Sequence, residues 1–213
     1  MIDHKTVSLA DQVFEHLETD ILSGKYQRGE ILTENKLSAE LGVSRTPIRE
    51  ALRRLEQEHL IEEAHNGSVV VGINEKDLGD IFMIRIKLEG QAAAMAAESR
   101  TEEQLSYLRE AVEFQEFYLE KRDADRIKSM DSRFHETIYK MCASAVFYDV
   151  LLPLHKKILK YRRASVSNKS RAEASVAEHR AIYEAISAKD SALAEKLVIE
   201  HLNNAYMHMI TKG

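Results

Sequence analysis

Two sets of side chains in this 213-residue chain are spaced for chemistry. The first lies in the run Gly42-Val-Ser-Arg-Thr-Pro-Ile-Arg-Glu-Ala-Leu52, where Arg45 and Arg49 stand four residues apart behind a Ser44 N-cap signal. On a helix that spacing puts both guanidinium groups on one face, able to reach phosphates and guanine edges together. The second set is Asp131, His135, His179 and His201. Asp131 and His135 sit one turn apart beside a stripe of Ile127, Met130, Phe134, Ile138 and Met141. His179 falls among Val176, Tyr183 and Ile186, and His201 among Ala194, Leu197, Val198 and Ala205. Polar groups buried without partners cost several kcal/mol. A divalent cation satisfies three imidazoles and a carboxylate at once. A nitrogen-rich set without thiolate suits zinc or nickel foremost, and iron or manganese next.

Arg85 and Glu89 interrupt another apolar stripe, made by Leu78, Phe82, Ala92 and Ala96. Two readings stay open on the residues alone. The pair is a structural ion pair, or the planar fork of Arg85 clamps the carboxylate of a small molecule. Glu56-x-x-His59 and Glu62-x-x-His65 have the ligand spacing of helical di-metal enzymes. Such enzymes need two of these pairs on bundle helices, whereas these fall in the N-terminal segment and its hairpin.

The elements that must position these groups follow from caps and periodicity. Ser8 with Asp11 starts a helix whose stripe is Leu9, Val13, Leu17 and Ile21. Ile31-Leu32 is a short strand, Thr33–Leu41 a second helix, and Ser44–His59 a third. Leu60-Ile61 and Val69–Val71 flank an Asn66-Gly67 turn signal, which predicts a two-stranded hairpin. Three helices and a hairpin make a winged helix-turn-helix over residues 1–72, with the arginine pair on the reading helix. From residue 76 to 213 only helical periods occur. Six helices are predicted near 75–99, 101–120, 123–142, 145–162, 171–188 and 190–211, with a Thr101/Gln104 capping box on the second. Short connections make this an antiparallel bundle. The fold class is therefore mostly α: a winged helix-turn-helix followed by an all-helical bundle.

Composition sets the outer limits. No apolar run approaches the roughly 18 residues of a membrane span, no secretory leader is visible, and the lone Cys142 fits a reducing cytoplasm. Residues 1–72 carry eight Lys+Arg against thirteen Asp+Glu, so no strongly basic domain advertises nucleic-acid binding. Its distribution matters more: Arg45, Arg49, Arg53 and Arg54, half of those basic residues, fall on one predicted helix.

The run from Gly29 to Leu55, with its Ser-Arg-Thr-Pro-Ile-Arg-Glu-Ala-Leu core, resembles the N-terminal domain of GntR-family transcription regulators. That resemblance implies base-reading by Arg45 and Arg49, with Ser44 and Thr46 beside them and Gly67 at the wing tip. Asn35 stands where the family often has arginine, and can still hydrogen-bond a base or phosphate. The Asp-x-x-x-His of Asp131 and His135, with the later His179 and His201, resembles the FCD effector domain of FadR-type members in its shorter, VanR-like form. This implies a metal at those four residues and favours Arg85 as the clamp for an organic acid.

The reading that results is a cytoplasmic, homodimeric regulator, acting as a repressor on a double-stranded DNA operator. A small carboxylate effector at a divalent metal would control operator affinity. The alternatives are a metal sensor without an organic effector and, further off, a metal-dependent helical hydrolase.

Overall fold

The computed structural model describes residues 7–158 and 169–211. It divides into two compact units, Met1–Glu75 and Lys76–Gly213.

In the first unit, α1 (Leu9–Leu22) opens with a capping box. The Asp11 amide donates to Ser8 Oγ at 3.0 Å, and the Ser8 amide donates to the Asp11 carboxylate at 3.3 Å. After β1 (Ile31–Leu32), Thr33 caps α2 (Glu34–Leu41) by accepting from the Lys36 amide at 3.2 Å. Gly42 ends α2 at φ 66°, the left-handed turn that lets α3 (Arg45–Gln57) start at once. Ser44 is the N-cap of α3 by backbone conformation, but its hydroxyl makes no capping bond. Leu17, Leu32, Leu37, Ile48 and Leu55 are fully buried and form one core with Leu60, Ile61 and Val70.

The wing consists of β2 (Ile61–Ala64) and β3 (Gly67–Val70), in an antiparallel sheet of order β1-β3-β2. The hairpin forms as predicted, but its turn is His65-Asn66, closed by the Ala64–Gly67 pair. Neither turn residue has positive φ. Gly67 instead sits at φ 142°, where an added Cβ would lie 2.4 Å from the Leu32 carbonyl oxygen. Close pairing of β3 with β1 therefore demands the glycine, not the turn.

The second unit contains six helices among the described residues. They are α4 (Glu75–Ser99), α5 (Glu102–Lys121), α6 (Ala124–Met141), α7 (Ala145–Lys157), α8 (Lys169–Ser187) and α9 (Ser191–Ile210). The end expected for α7, 159–162, lies outside the described residues. The Thr101/Gln104 box caps α5 as its sequence predicts. Helix α5 packs on α6 and α8, α6 on α7, and α8 on α9. Gly90 brings α4 against α9, since a Cβ there would meet Ile199 at 2.9 Å. Phe82 and Tyr206 rings lie 5.2 Å apart across the same contact. The interior between α4, α6, α8 and α9 is where the polar side chains converge.

Candidate functional site

On α3 the period of 3.6 separates two faces. Ile48, Ala51, Leu52 and Leu55 are buried, while Arg45, Thr46 and Arg49 are exposed on the other side with Ser44. Asn35 is exposed at the start of α2. Arg49, Arg53, Glu34, Glu63, Gly67 and Ser68 line a groove that runs between α3 and the wing. The structure thus gathers Arg49 and Gly67, which are distant in sequence, along one surface. Sequence reading missed Glu34. Its carboxylate accepts from Arg49 Nε at 2.8 Å, Arg49 Nη2 at 3.0 Å and Arg45 Nε at 3.1 Å. Those hydrogen bonds, Arg49's first, hold Glu34 down at about 2.

In the second unit Asp131, His135, His179 and His201 are all buried and face one another. His179 Nε2 lies 3.3 Å from His201 Nε2 and 3.7 Å from Asp131 Oδ1, and His135 Nε2 lies 4.0 Å from the same Oδ1. The three imidazoles can each offer a nitrogen within 4.8 Å of the others.

Each ring is also anchored from outside. His135 Nδ1 lies 3.2 Å from Glu89 Oε2, His179 Nδ1 2.6 Å from Gln115 Oε1, and His201 Nδ1 2.7 Å from Glu178 Oε2. Burial would raise the Glu178 carboxyl, but hydrogen bonds from His201 and Arg171 prevail and bring it down to about 2. Burial of Glu89 works the same way and is overcome by the Arg85 charge and the His135 hydrogen bond, so its carboxyl stays well below the usual range. All three outer partners present an oxygen, so each Nδ1 can donate outward and leave its Nε2 to face the interior. Burial, against the pull of Glu178, pushes His201 down to about 4, so that ring is neutral at neutral pH.

Three imidazole nitrogens that face one another beside a carboxylate suit a cation. Donors about 2.0–2.2 Å from one ion, at tetrahedral or octahedral angles, lie about 3–3.5 Å apart. The His179–His201 separation of 3.3 Å falls in that range, and Asp131 stands wider, at 3.7 Å from His179 and 4.0 Å from His135. The three imidazoles are thus a ligand set that fits a divalent ion, with Asp131 beside two of them.

Arg85 and Glu89 are 2% and 1% exposed, so the charged pair expected on the α4 stripe is fully buried. Arg85 Nε donates to Glu89, and Arg85 Nη2 donates to His155 Nδ1 at 3.2 Å. Burial, then the Arg85 charge, pushes His155 well below its ordinary value, leaving it a neutral acceptor. Glu89, His135 and His155 form a second group with ligand-like spacing. There the Arg85 guanidinium already supplies the positive charge. Glu89 serves two groups at once, holding Arg85 with one oxygen and His135 with the other.

A cavity of about 40 Å³ opens between these groups, lined by Arg85, Asp131, His135, Arg171, Ser175 and His201 among others. It has room for about three waters. Arg171 is a second buried guanidinium at its wall and is paired with Glu178 at 2.9 and 3.0 Å. Gln115, His155, Arg171 and Glu178 were all missed from sequence. Gln115 and His155 carried a usable signal, each being a polar residue in phase with buried leucines, Leu108 and Leu151 respectively.

Comparison with known proteins gives two family matches. Residues 9–71 match the model described as bacterial regulatory proteins, gntR family, and residues 80–204 match that of the FCD domain. An HTH-type transcriptional regulator of Bacillus subtilis, YdhC, is 30% identical over 93% of this chain and 89% of its own. The gluconate operon transcriptional repressor of Bacillus licheniformis is 38% identical, over 58% of this chain and 51% of its own. Among solved structures, Escherichia coli McbR/YncC superposes with a TM-score of 0.83 at 25% identity, covering 97% of this chain and 99% of that one. These relatives are regulators rather than enzymes, which leaves the hydrolase reading without support. Among the described residues no helix is long and apolar enough to cross a membrane.

Proposed function

Because the chain belongs to the gntR family of bacterial regulatory proteins and carries an FCD domain, we propose that it is a repressor whose hold on operator DNA is set by a small organic acid bound beside a divalent cation. It is a transcriptional regulator, and its partner is operator DNA. Arg45 and Arg49 read base edges from α3, Ser44, Thr46 and Asn35 contact backbone or base, and the wing carries Gly67 alongside. The protein works as a homodimer, so that two reading helices meet the halves of a pseudo-palindrome.

Asp131, His135, His179 and His201 hold the cation, which when bound offers open coordination positions to a carboxylate. The residues around it do the rest. Glu89, Gln115 and Glu178 fix the three rings with their lone pairs inward. Arg85, whose Nε and Nη2 are engaged, can still turn its remaining N–H groups toward an anion in the cavity. The cavity's size favours a small acid. Coupling of effector to DNA of the usual 1–3 kcal/mol corresponds to about 5–150-fold in operator affinity. The observation that carries this reading is the convergence of three buried imidazoles, two with Nε2 toward Asp131 and the third with Nε2 toward His179, each backed by an oxygen at its Nδ1.

A second reading, a metal sensor with no organic effector, draws support from Arg85 being occupied by Glu89 and His155. One experiment separates the two. The purified protein is assayed for bound metal by elemental analysis. A labelled duplex enriched from a random pool is then titrated with and without chelator, and with acetate, malonate or citrate. Release by an acid only in the metal-loaded protein supports the effector reading, and release by metal alone supports the sensor. A protein that holds no metal and ignores every addition refutes both.

A further inference from the structure

We infer that Glu34 is the positioning residue for the two reading arginines, and that it contributes to sequence preference at the expense of raw DNA affinity. The inference rests on the assignment of Arg45 and Arg49 to base reading. Glu34 is the first residue of α2, and the Thr33 cap fixes the backbone it stands on. A carboxylate there is also favoured by the helix dipole. From that fixed point one carboxylate grips both arginines, taking Arg49 side-on through Nε and Nη2 and Arg45 through Nε.

Side-on pairing uses one edge of the Arg49 fork and leaves the end-on edge, Nη1 with the second hydrogen of Nη2. That edge is the one that can meet guanine O6 and N7 in a bidentate contact. An unheld arginine side chain has much rotamer freedom to lose on binding. Here Glu34 removes part of that freedom before DNA arrives, as preorganisation requires. Stability alone gives little reason for the arrangement. The two arginine side chains are 60% and 66% exposed, and exposed ion pairs contribute little to folding.

A carboxylate beside the DNA-facing groove also repels phosphates. Arginines that drop onto a phosphate must leave Glu34 or drag its charge toward the backbone. Arginines that meet a guanine end-on keep it. Glu34 therefore penalises non-specific contacts more than specific ones, which is how discrimination arises from a repulsive element.

The test uses the full-length protein. A duplex is enriched from a random pool by the unsubstituted protein, and its Kd is compared with that of a shuffled duplex at 50–200 mM salt. The unsubstituted protein, Glu34→Gln and Arg49→Ala are measured alike, with melting temperatures recorded to confirm folding. For Glu34→Gln the preference ratio should fall about tenfold or more, because one guanine contact loses its alignment. Binding to the shuffled duplex should hold or tighten, and its salt slope should steepen by about one per arginine released to phosphate. A Glu34→Gln protein that keeps the ratio, or weakens both duplexes equally, overturns the inference. If Arg49→Ala also keeps the ratio, the base-reading assignment falls with it. If Arg49→Ala loses the ratio and Glu34→Gln does not, only the role of Glu34 is lost.

Discussion

Replacing Arg85 with methionine removes a guanidinium from a site where its partner has nowhere to go. Glu89 is 1% exposed and would keep only the His135 hydrogen bond of the two it accepts through its oxygens. Breaking a buried ion pair by deleting one partner costs about 3–5 kcal/mol, whereas replacing both by apolar residues is often neutral. The second unit, Lys76–Gly213, has 138 residues. At about 2.1 cal/mol/K per residue its unfolding entropy is about 0.29 kcal/mol/K, so the loss appears as a fall of roughly 10–17 °C in Tm. Arg85→Met/Glu89→Leu should recover most of it. Urea titrations with chelator present exclude metal linkage from the comparison.

The same variant carries a pH signature. In the unsubstituted protein burial is the largest single influence on Glu89, but the Arg85 charge and the His135 hydrogen bond together overcome it and hold the carboxyl well below its ordinary 4.5. Its contribution is thus present above 4.5 and lost only as pH falls through that lowered value. Without Arg85 the upward push of burial prevails, and the folded carboxyl titrates above 4.5. Stability of the variant is then favoured at low pH and lost as pH rises through the raised value. The gap between the two proteins should narrow between pH 7.5 and pH 5. A gap under about 1 kcal/mol at pH 7.5, or one constant across that range, refutes the claim that Arg85 compensates a charged Glu89.

Two further predictions concern single positions. Glu178→Gln takes the negative charge from behind His201 and should weaken zinc about 10–100-fold in competition with a chromophoric chelator. A change under twofold would show that His201 needs no such anchor. Gly67→Ala forces a Cβ to 2.4 Å from the Leu32 carbonyl at φ 142° and should cost the first unit about 2 kcal/mol, read from the urea midpoint. An unchanged midpoint would mean that β1 and β3 separate at no cost.

Much of this architecture was legible because it is local. Capping pairs such as Ser8/Asp11 and Thr101/Gln104 lie three residues apart, so one short window locates a helix start. The cation-site candidates were legible for a related reason: a polar residue in phase with an apolar stripe is conspicuous, and Asp131, His135, His179, His201, Arg85 and Glu89 all are. The wing shows where a local signal identifies the right element for the wrong cause. Asn66-Gly67 pointed to a hairpin that exists, but Gly67 is a glycine because of Leu32, 35 residues earlier. No window around the turn contains that reason.

What stayed hidden is what supports the conspicuous groups from behind. Glu178 holds His201 from 23 residues away, on another helix, and in sequence it is only the residue before His179. Glu34 holds Arg45 and Arg49 from 11 and 15 residues away. In both cases the partners stand on different helices, so charge spacing along one helix cannot find the pairing. These residues also cannot be recognised by polarity, because a glutamate on a helix is ordinary. Their roles appear only once a second element is folded against the first. The acidity of residues 1–72, five charges beyond their basic residues, then takes on a different meaning at one position. A carboxylate that lowers the net attraction for DNA also sets the direction in which two arginines can reach it. Affinity and preference need not rise together, and a chain read by net charge alone reports only the first.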